Sequence, residues 1–199
     1  MKAEDAADMM DQDKQNDRFK QRAAVGIAIL AMLLAITGLG GANADKEATN
    51  NNIYAANYFA FFQAKNIRQT DFSLAADAIE LAFLQDPAMG AEARSALKAK
   101  ADAYRKTAER YESEPETNEG KKELIARAKE YEARRDHALK QDPYFDYAGA
   151  LLQIAIVLIS VSIVATLPWL AILGGLVGAV GGLLMINGYT LLVELPFIW

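Results

Sequence analysis

Apolar and charged residues are segregated along the chain. Residues 23–44 contain no charge, and from residue 147 onward the only charged residue is Glu194. Charge is instead concentrated in residues 1–22 and 45–146. About 20 consecutive apolar residues are enough to cross the roughly 30 Å hydrocarbon core of a bilayer. The pattern therefore predicts an integral membrane protein with a water-exposed insert.

Three transmembrane helices follow from this pattern. Only a turn at Pro168 separates the last two apolar stretches, so these spans are expected to form an antiparallel hairpin. The first span has an alternative interpretation, because Ala42-Asn43-Ala44 has the small-x-small form of a signal-peptidase site. The predicted order is an exposed tail (1–22), the first span (23–44), the insert (45–146), the second span (147–167), the third span (169–193) and an interfacial tail (194–199).

The insert has a helical pattern throughout. No Pro or Gly occurs in residues 42–86, so the first span is expected to continue into the insert as one long helix that ends before Pro87. Apolar positions spaced four and three apart then predict two short heptad seams, at 97–111 and 124–138. The turn between them predicts an antiparallel helical hairpin, ended by Pro143. The predicted fold class is all-α: a polytopic membrane protein with three transmembrane helices and an antiparallel helical or coiled-coil insert.

Small residues of the third span lie on one side of the helix. At about 100° per residue they occupy an arc of about 160°, and bulky aliphatic residues fill the rest. Helices in lipid associate through close backbone approach, so this face is predicted to be a glycine-zipper packing or oligomer interface. Its neighbour is the second span, a second copy of the chain, or a pore axis. The residues are Ala171, Gly174, Gly175, Gly178, Ala179, Gly181 and Gly182.

The second span carries several polar side chains that could contact neighbouring helices. Gln153 and Ser160 share one helix face, and Ser162 and Thr166 form another pair. We expect intramembrane polar contacts between helices here, worth about 0.6 kcal/mol each on average. The spans contain no acidic or basic residue, which argues against a proton-coupled pump.

Composition argues against most site chemistry. A net charge of −5 disfavours nucleic-acid binding. The chain has no cysteine and a single histidine, His137, so no metal site is expected. Phosphate-binding loops, nucleophile elbows and zinc-protease motifs are absent from the sequence. We therefore predict no catalytic residue, no cofactor, no metal and no enzymatic activity.

Basic residues give the expected orientation in the membrane. The positive-inside rule places basic residues that flank a span in the cytoplasm. A basic group at 134–140 argues for a cytoplasmic insert, but charges in so long an insert count less. The N-terminus is therefore predicted to be cytoplasmic, from the residues before the first span: Lys14, Arg18, Lys20 and Arg22.

Three stretches together resemble a known family. They are A-I-T-G-L-G-G-A-N-A at 35–44, A-N-Y-F-A-F-F-Q-A-K-N-I-R-Q at 56–69 and I-N-G at 186–188. Over residues 20–193 the chain resembles a family of bacterial membrane proteins catalogued as domain of unknown function 4337. The resemblance implies a three-span protein of the bacterial inner membrane with a helical insert, and it implies no activity.

The stretch at 56–69 also carries an aromatic and basic cluster that is expected just outside the membrane. It is a candidate lipid-headgroup or partner surface, and packing against the rest of the insert is the alternative. The residues are Tyr58, Phe59, Phe62, Lys65 and Arg68.

These features predict a non-enzymatic integral membrane protein that acts as a self-associating scaffold or as an accessory subunit of a membrane complex. Its expected partners are the lipid bilayer and either further copies of itself or another membrane protein. The alternative is an oligomeric channel or stator-like component. Proton-driven motor stators also place a helical insert between a first span and a following pair, but this is an analogy of fold alone.

Overall fold

A computed structural model describes residues 3–196, with side chains described from residue 14 onward. The described part is 89% helical and contains no strand. Three of its helices are long and apolar enough to cross a membrane. These findings confirm the predicted all-α fold class. The helices are α1 (Ala3–Gln85), α2 (Ala91–Glu112), α3 (Lys121–Ala165) and α4 (Pro168–Thr190).

Helix α1 includes both the first apolar stretch and the first part of the insert. It continues without a break to Gln85, immediately before Asp86-Pro87, as the uninterrupted sequence predicts. The predicted tail at 1–22 is helical from Ala3. The side chains before residue 14 lie outside the described part, so the prediction of an exposed tail concerns described side chains only at 14–22, which are mostly exposed.

The chain folds as two compact units, Met1–Ala48 with Asp136–Trp199 and Thr49–Arg135. In the first unit, parts of α1, α3 and α4 pack together, with α3 antiparallel to the other two. Buried positions recur every seven residues on each helix, a spacing typical of helices that cross at about 20°. These positions are Ala23, Leu30, Thr37 and Ala44 on α1, Ala138, Phe145, Leu152 and Ile159 on α3, and Gly174, Gly181 and Gly188 on α4.

Pro143 lies inside α3 and does not end it. The expectation that the insert helix stops at Pro143 is therefore wrong. An interior proline costs about 3 kcal/mol or more, because it has no N–H to donate and its ring crowds the preceding turn. Buried side chains at Ala138, five residues before it, and at Tyr144, directly after it, fix the helix on both sides. The chain breaks instead at Thr166, whose φ of 54° is left-handed.

In the second unit, α2 and the first part of α3 both run antiparallel to α1. Along α2, contacts with α1 move from Arg94 with Phe83 to Tyr111 with Lys65. Along α3 they continue in the same direction, and Tyr131 packs on Tyr54. The insert is thus antiparallel, but the hairpin expected between the seams at 97–111 and 124–138 is wrong, because both segments pair with α1.

A seam on α1 explains this pairing. Half-buried and buried positions follow one another at alternating spacings of four and three from Asn51 to Phe83. At 1.5 Å per residue the seam is about 48 Å long. The 22 residues of α2 span only about 33 Å. One helix is therefore too short to cover the seam, and α2 and α3 cover it in succession.

Candidate interaction surfaces

The small-residue face of α4 contacts two helices of the first unit. A Cβ at Gly174 would lie 2.8 Å from Ile159 Cγ1 and 3.0 Å from the Ala155 carbonyl oxygen, both on α3. A Cβ at Gly178 would lie 2.6 Å from Leu30 Cδ2 on α1. At Gly181 the neighbouring atoms belong to α3 again. One glycine face therefore admits both neighbouring helices of the same chain to close range.

The remaining small residues of this face are not packed in the same way. Gly175 and Ala179 are exposed, and a Cβ at Gly175 would meet nothing within 4 Å. Ala171 and Gly182 are partly buried and lie between the packed residues and the exposed ones. The structure thus brings only one side of the predicted arc against the chain's own helices and leaves the other side open.

An aromatic contact that sequence reasoning missed joins the three helices of the first unit. The Phe145 ring lies edge-on to Tyr189, with 4.8 Å between ring centroids. Cβ atoms at Gly40 and Gly188 would come within 2.5 and 3.0 Å of the same ring. The Tyr189 hydroxyl donates a hydrogen bond to the Ile36 carbonyl at 3.1 Å. The available sequence signal was a glycine near the end of the first span, Gly40, and another near the end of the third, Gly188.

The polar residues of the second span form local rather than interhelical hydrogen bonds. Ser160 donates to the Ile156 carbonyl at 2.7 Å, and buried Ser162 donates to the Ile159 carbonyl at 2.6 Å. Exposed Thr166 donates to the adjacent Ala165 carbonyl. The expected interhelical bonds of these three hydroxyls do not occur among the described residues, because carbonyls of the preceding turn are already within reach.

Gln153 instead lines a groove of about 640 Å³ between α1 and α3 in the first unit. Glycines form part of its wall, and three carboxylates, from Asp45, Asp142 and Asp146, line it as well. Burial raises the pKa of the Asp142 carboxyl above its usual value, and the negative charges of Asp146 and Asp45 raise it further. The folded protein therefore holds a proton on Asp142 more tightly than the unfolded chain does.

Stability is expected to depend on the protonation of Asp142. Because its pKa is higher in the folded than in the unfolded state, its protonation favours folding. This contribution is lost as pH rises from about 4 through the raised pKa. Melting temperatures measured on wild type and Asp142→Asn should converge at low pH, and wild type should fall below the variant near neutral pH. A difference in melting temperature between the two proteins that stays the same at every pH would contradict this assignment.

The predicted aromatic and basic cluster of the insert is divided between a packed part and an open part. Tyr58 stacks on Tyr131 with 5.5 Å between ring centroids. Phe59 and Phe62 are partly buried. Lys65 is also largely covered, whereas Arg68 is exposed. Tyr58, Lys65 and Arg68 line a common groove of the second unit, whereas Phe59 and Phe62 do not.

An apolar ridge on α1 lies opposite the seam that packs on α2 and α3. Its members recur every seven residues and are all exposed, with 52% of Ile53, 61% of Ile67, 60% of Leu74 and 53% of Leu81 accessible. We call this the outer ridge; it consists of Ile53, Ala60, Ile67, Leu74 and Leu81. On a heptad wheel these residues point away from the middle of the buried seam. The helical spacing of these residues is visible in the sequence, but the sequence does not show that they face away from α2 and α3.

A comparison with protein families identifies the relationship. The family described as Domain of unknown function (DUF4337) matches residues 19–191. The chain belongs to this family. No curated protein and no solved structure matches the chain. The family resemblance predicted from the sequence is thus confirmed, and the description of DUF4337 assigns it no function.

One stretch that carries the DUF4337 resemblance organises the end of α4. The Asn187 side chain donates to the Val193 carbonyl at 2.7 Å and accepts from the Val193 N–H at 3.0 Å. Leu191 adopts a left-handed conformation and donates its N–H to the Asn187 carbonyl. The I-N-G stretch therefore ends the helix and turns the chain back.

Proposed function

We propose that the protein is a non-enzymatic membrane scaffold that self-associates through the outer ridge. The observation that carries the proposal is the regular exposure of this ridge on the insert. Scattered exposed aliphatic residues are ordinary, but an aligned apolar surface is typical of an interaction site. The seven-residue spacing matches the geometry with which one helix packs along another.

A second copy of the chain fits this surface better than an unrelated partner. Copies inserted in one bilayer share their orientation, so α1 of one copy meets α1 of another in parallel. In register, each ridge residue then faces its own counterpart, which gives a two-fold symmetric interface. Ala56, Ala64 and Ala78 beside the ridge allow the helices to approach closely. No charged residue belongs to the ridge itself.

The size of the ridge indicates that the membrane contributes to the association. Burying the exposed half of eight Ile and Leu side chains, four from each copy, gives about 6–12 kcal/mol. Association of free molecules costs about 4–15 kcal/mol in lost freedom of motion. The two ranges overlap, so the ridge is a weak interface for molecules free in solution. Shared orientation in a bilayer lowers the cost, which favours self-association of the anchored protein.

The proposal places the protein in the bacterial inner membrane with a cytoplasmic N-terminus. The basic residues before the first span support this orientation through the positive-inside rule. The insert then lies on the opposite side from the N-terminus. The outer ridge would be available there to further copies, and a second membrane protein is the other partner that an exposed helical face accommodates.

Cysteine cross-linking in native membranes tests the proposal. The chain has no cysteine, so one introduced thiol reports on one position. Ala60→Cys, Ile67→Cys and Leu74→Cys should each form disulfide-linked dimers, because a disulfide needs Cβ atoms about 4 Å apart. Asn66→Cys and Ser73→Cys, which lie one residue off the ridge, are matched controls and should give at least about fivefold less dimer. Equal yields on and off the ridge would refute the proposed interface.

A charge placed on the ridge should weaken the association. In a Leu74→Cys background, Ile67→Lys brings two ammonium groups together at the symmetry axis. We expect the dimer yield to fall at least about tenfold, which corresponds to about 1.4 kcal/mol. Asn66→Lys adds the same charge beside the ridge and should have little effect. If both lysines lower the yield equally, long-range charge repulsion rather than ridge packing controls the association.

A further inference from the structure

We propose that a groove on the second unit binds an organic monoanion with an apolar body. The groove has a volume of about 730 Å³ and lies among α1, the end of α2 and the start of α3. This volume falls within the range of about 300–1,000 Å³ that is usual for small-molecule sites. The inference goes beyond self-association and does not depend on it: no outer-ridge residue lines the groove, and Ala64 beside the ridge is the one residue at the border of both surfaces.

One wall of the groove consists of three α1 side chains that recur every seven residues. Tyr54 and Phe61 provide aromatic surface, and Arg68 follows one further repeat along the helix. Tyr54 is 50% and Phe61 is 64% exposed. The groove thus has an extended apolar wall with a cation at one end. Exposed aromatic rings beside a guanidinium group form a surface suited to ligands that are part apolar and part charged.

Arg68 is the cation of this groove that is available to a ligand. The Glu114 carboxylate already engages Lys65 at 3.2 Å and Arg110 at 3.8 Å. Arg127 donates a hydrogen bond to the Tyr58 hydroxyl at 3.2 Å. Among the residues that the structure describes, none forms an ion pair or hydrogen bond with Arg68. A guanidinium group binds a carboxylate through two parallel hydrogen bonds, so Arg68 specifies an anionic group.

The acidic residues of the same groove limit the charge of the ligand. Glu114 and Glu119 both line it. Glu114 is paired with Lys65, and Glu119 is mostly exposed at 4.0 Å from the same ammonium group. A ligand with two or more negative charges would be repelled by these carboxylates. The groove therefore suits a carboxylate attached to an aromatic or aliphatic body, with the carboxylate at Arg68 and the body against Phe61 and Tyr54.

Equilibrium dialysis of the full chain in lipid nanodiscs, with empty nanodiscs as the reference, tests this site. The probes are naphthalene-2-carboxylate, its neutral carboxamide, and octanoate. Wild type should bind naphthalene-2-carboxylate saturably, at least about tenfold tighter than the carboxamide. Octanoate measures whether an aliphatic body serves as well as an aromatic one. Absence of saturable carboxylate binding, or equal affinity for acid and amide, would overturn the proposal.

Three variants separate recognition at this site from general charge effects. Arg68→Gln should lose the preference for the acid, with at least about tenfold weaker binding of naphthalene-2-carboxylate. Phe61→Ser should weaken acid and amide alike. Lys98→Gln removes an exposed charge on α2 outside the groove lining and should bind as wild type does. Unchanged binding by Arg68→Gln, in a protein with wild-type helicity and melting temperature, would refute the assignment.

Discussion

Replacing Gly174 with leucine is expected to lower the free energy of unfolding by about 3 kcal/mol. The first atom of the new side chain would lie 2.8 Å from Ile159 Cγ1, 3.0 Å from the Ala155 carbonyl oxygen and 3.1 Å from Leu158 Cβ. One of these atoms belongs to the backbone of α3, so a rotamer change cannot make room. The helices must separate, and close packing is the main attraction between helices in lipid. Unfolding of the purified protein by SDS titration, followed by circular dichroism, measures the effect.

The adjacent glycine provides a matched control for this experiment. Gly175 faces open space, with nothing within 4 Å of an added Cβ. Gly175→Leu introduces the same atoms into the same helix and should leave the unfolding free energy nearly unchanged or slightly higher, because leucine is the better helix former. If the two variants are equally stable, α4 is not packed closely against α3 at Gly174.

Replacing Phe145 with alanine should lower the free energy of unfolding by about 3–5 kcal/mol. The ring is buried and fills the space next to Gly40 and Gly188. Because neither glycine has a side chain that can move into the vacated volume, the cavity stays open. Tyr189 also loses its edge-on contact. The same SDS titration reports the loss, and in addition the melting temperature should fall.

Tyr147 is a suitable control for the Phe145 variant. It lies two residues further along the same helix and is 51% exposed. Tyr147→Ala removes a similar ring without opening a buried cavity, so its effect should stay below about 1 kcal/mol. Equal losses for Phe145→Ala and Tyr147→Ala would show that the ring at 145 does not hold the three helices together.

The helical wheel of α4 showed on which side of the helix the small residues lie, but not which of them pack against a neighbouring helix. Gly174, Gly178 and Gly181 lie against neighbouring helices, whereas Gly175 lies in the same predicted arc and is exposed. A wheel records side-chain size around one axis. The direction from which neighbours approach depends on the other helices, and no periodicity within α4 contains that information.

The insert shows a second limit of sequence patterns. The seams on α2 and α3 were recognisable, and a turn between them suggested that they pair with each other. The longer seam from Asn51 to Phe83 on α1 decides the pairing instead, since it is long enough to take both. Similarly, Pro143 is a strong local signal for a helix end, but buried contacts on both sides of it outweigh the local cost. In both cases tertiary packing overrides a local rule.

The candidate sites were predictable only in part. The residues Tyr58, Lys65 and Arg68 were recognised as a cluster from composition, and they do line one groove. Phe61 was recognised as part of the same aromatic cluster, but Tyr54 on its wall was not singled out, because its exposure depends on where α2 and α3 end. Which charged residues form ion pairs is likewise known only from the three-dimensional structure. The sequence does not show that Lys65 is paired with Glu114 whereas Arg68 is exposed.

The seven-residue register of α1 restricts how this part of the chain can change in length. A single residue inserted or deleted between Ala55 and Ala76 would rotate all later positions by about 100°. The parts of the outer ridge and of the packed seam after the change would then be rotated away from the parts before it. Neither surface would be continuous along the helix. Insertions and deletions in this region are therefore tolerated chiefly in whole multiples of seven. A variant with seven added residues should therefore keep both the outer ridge and the packed seam, whereas a variant with one added residue should lose their alignment.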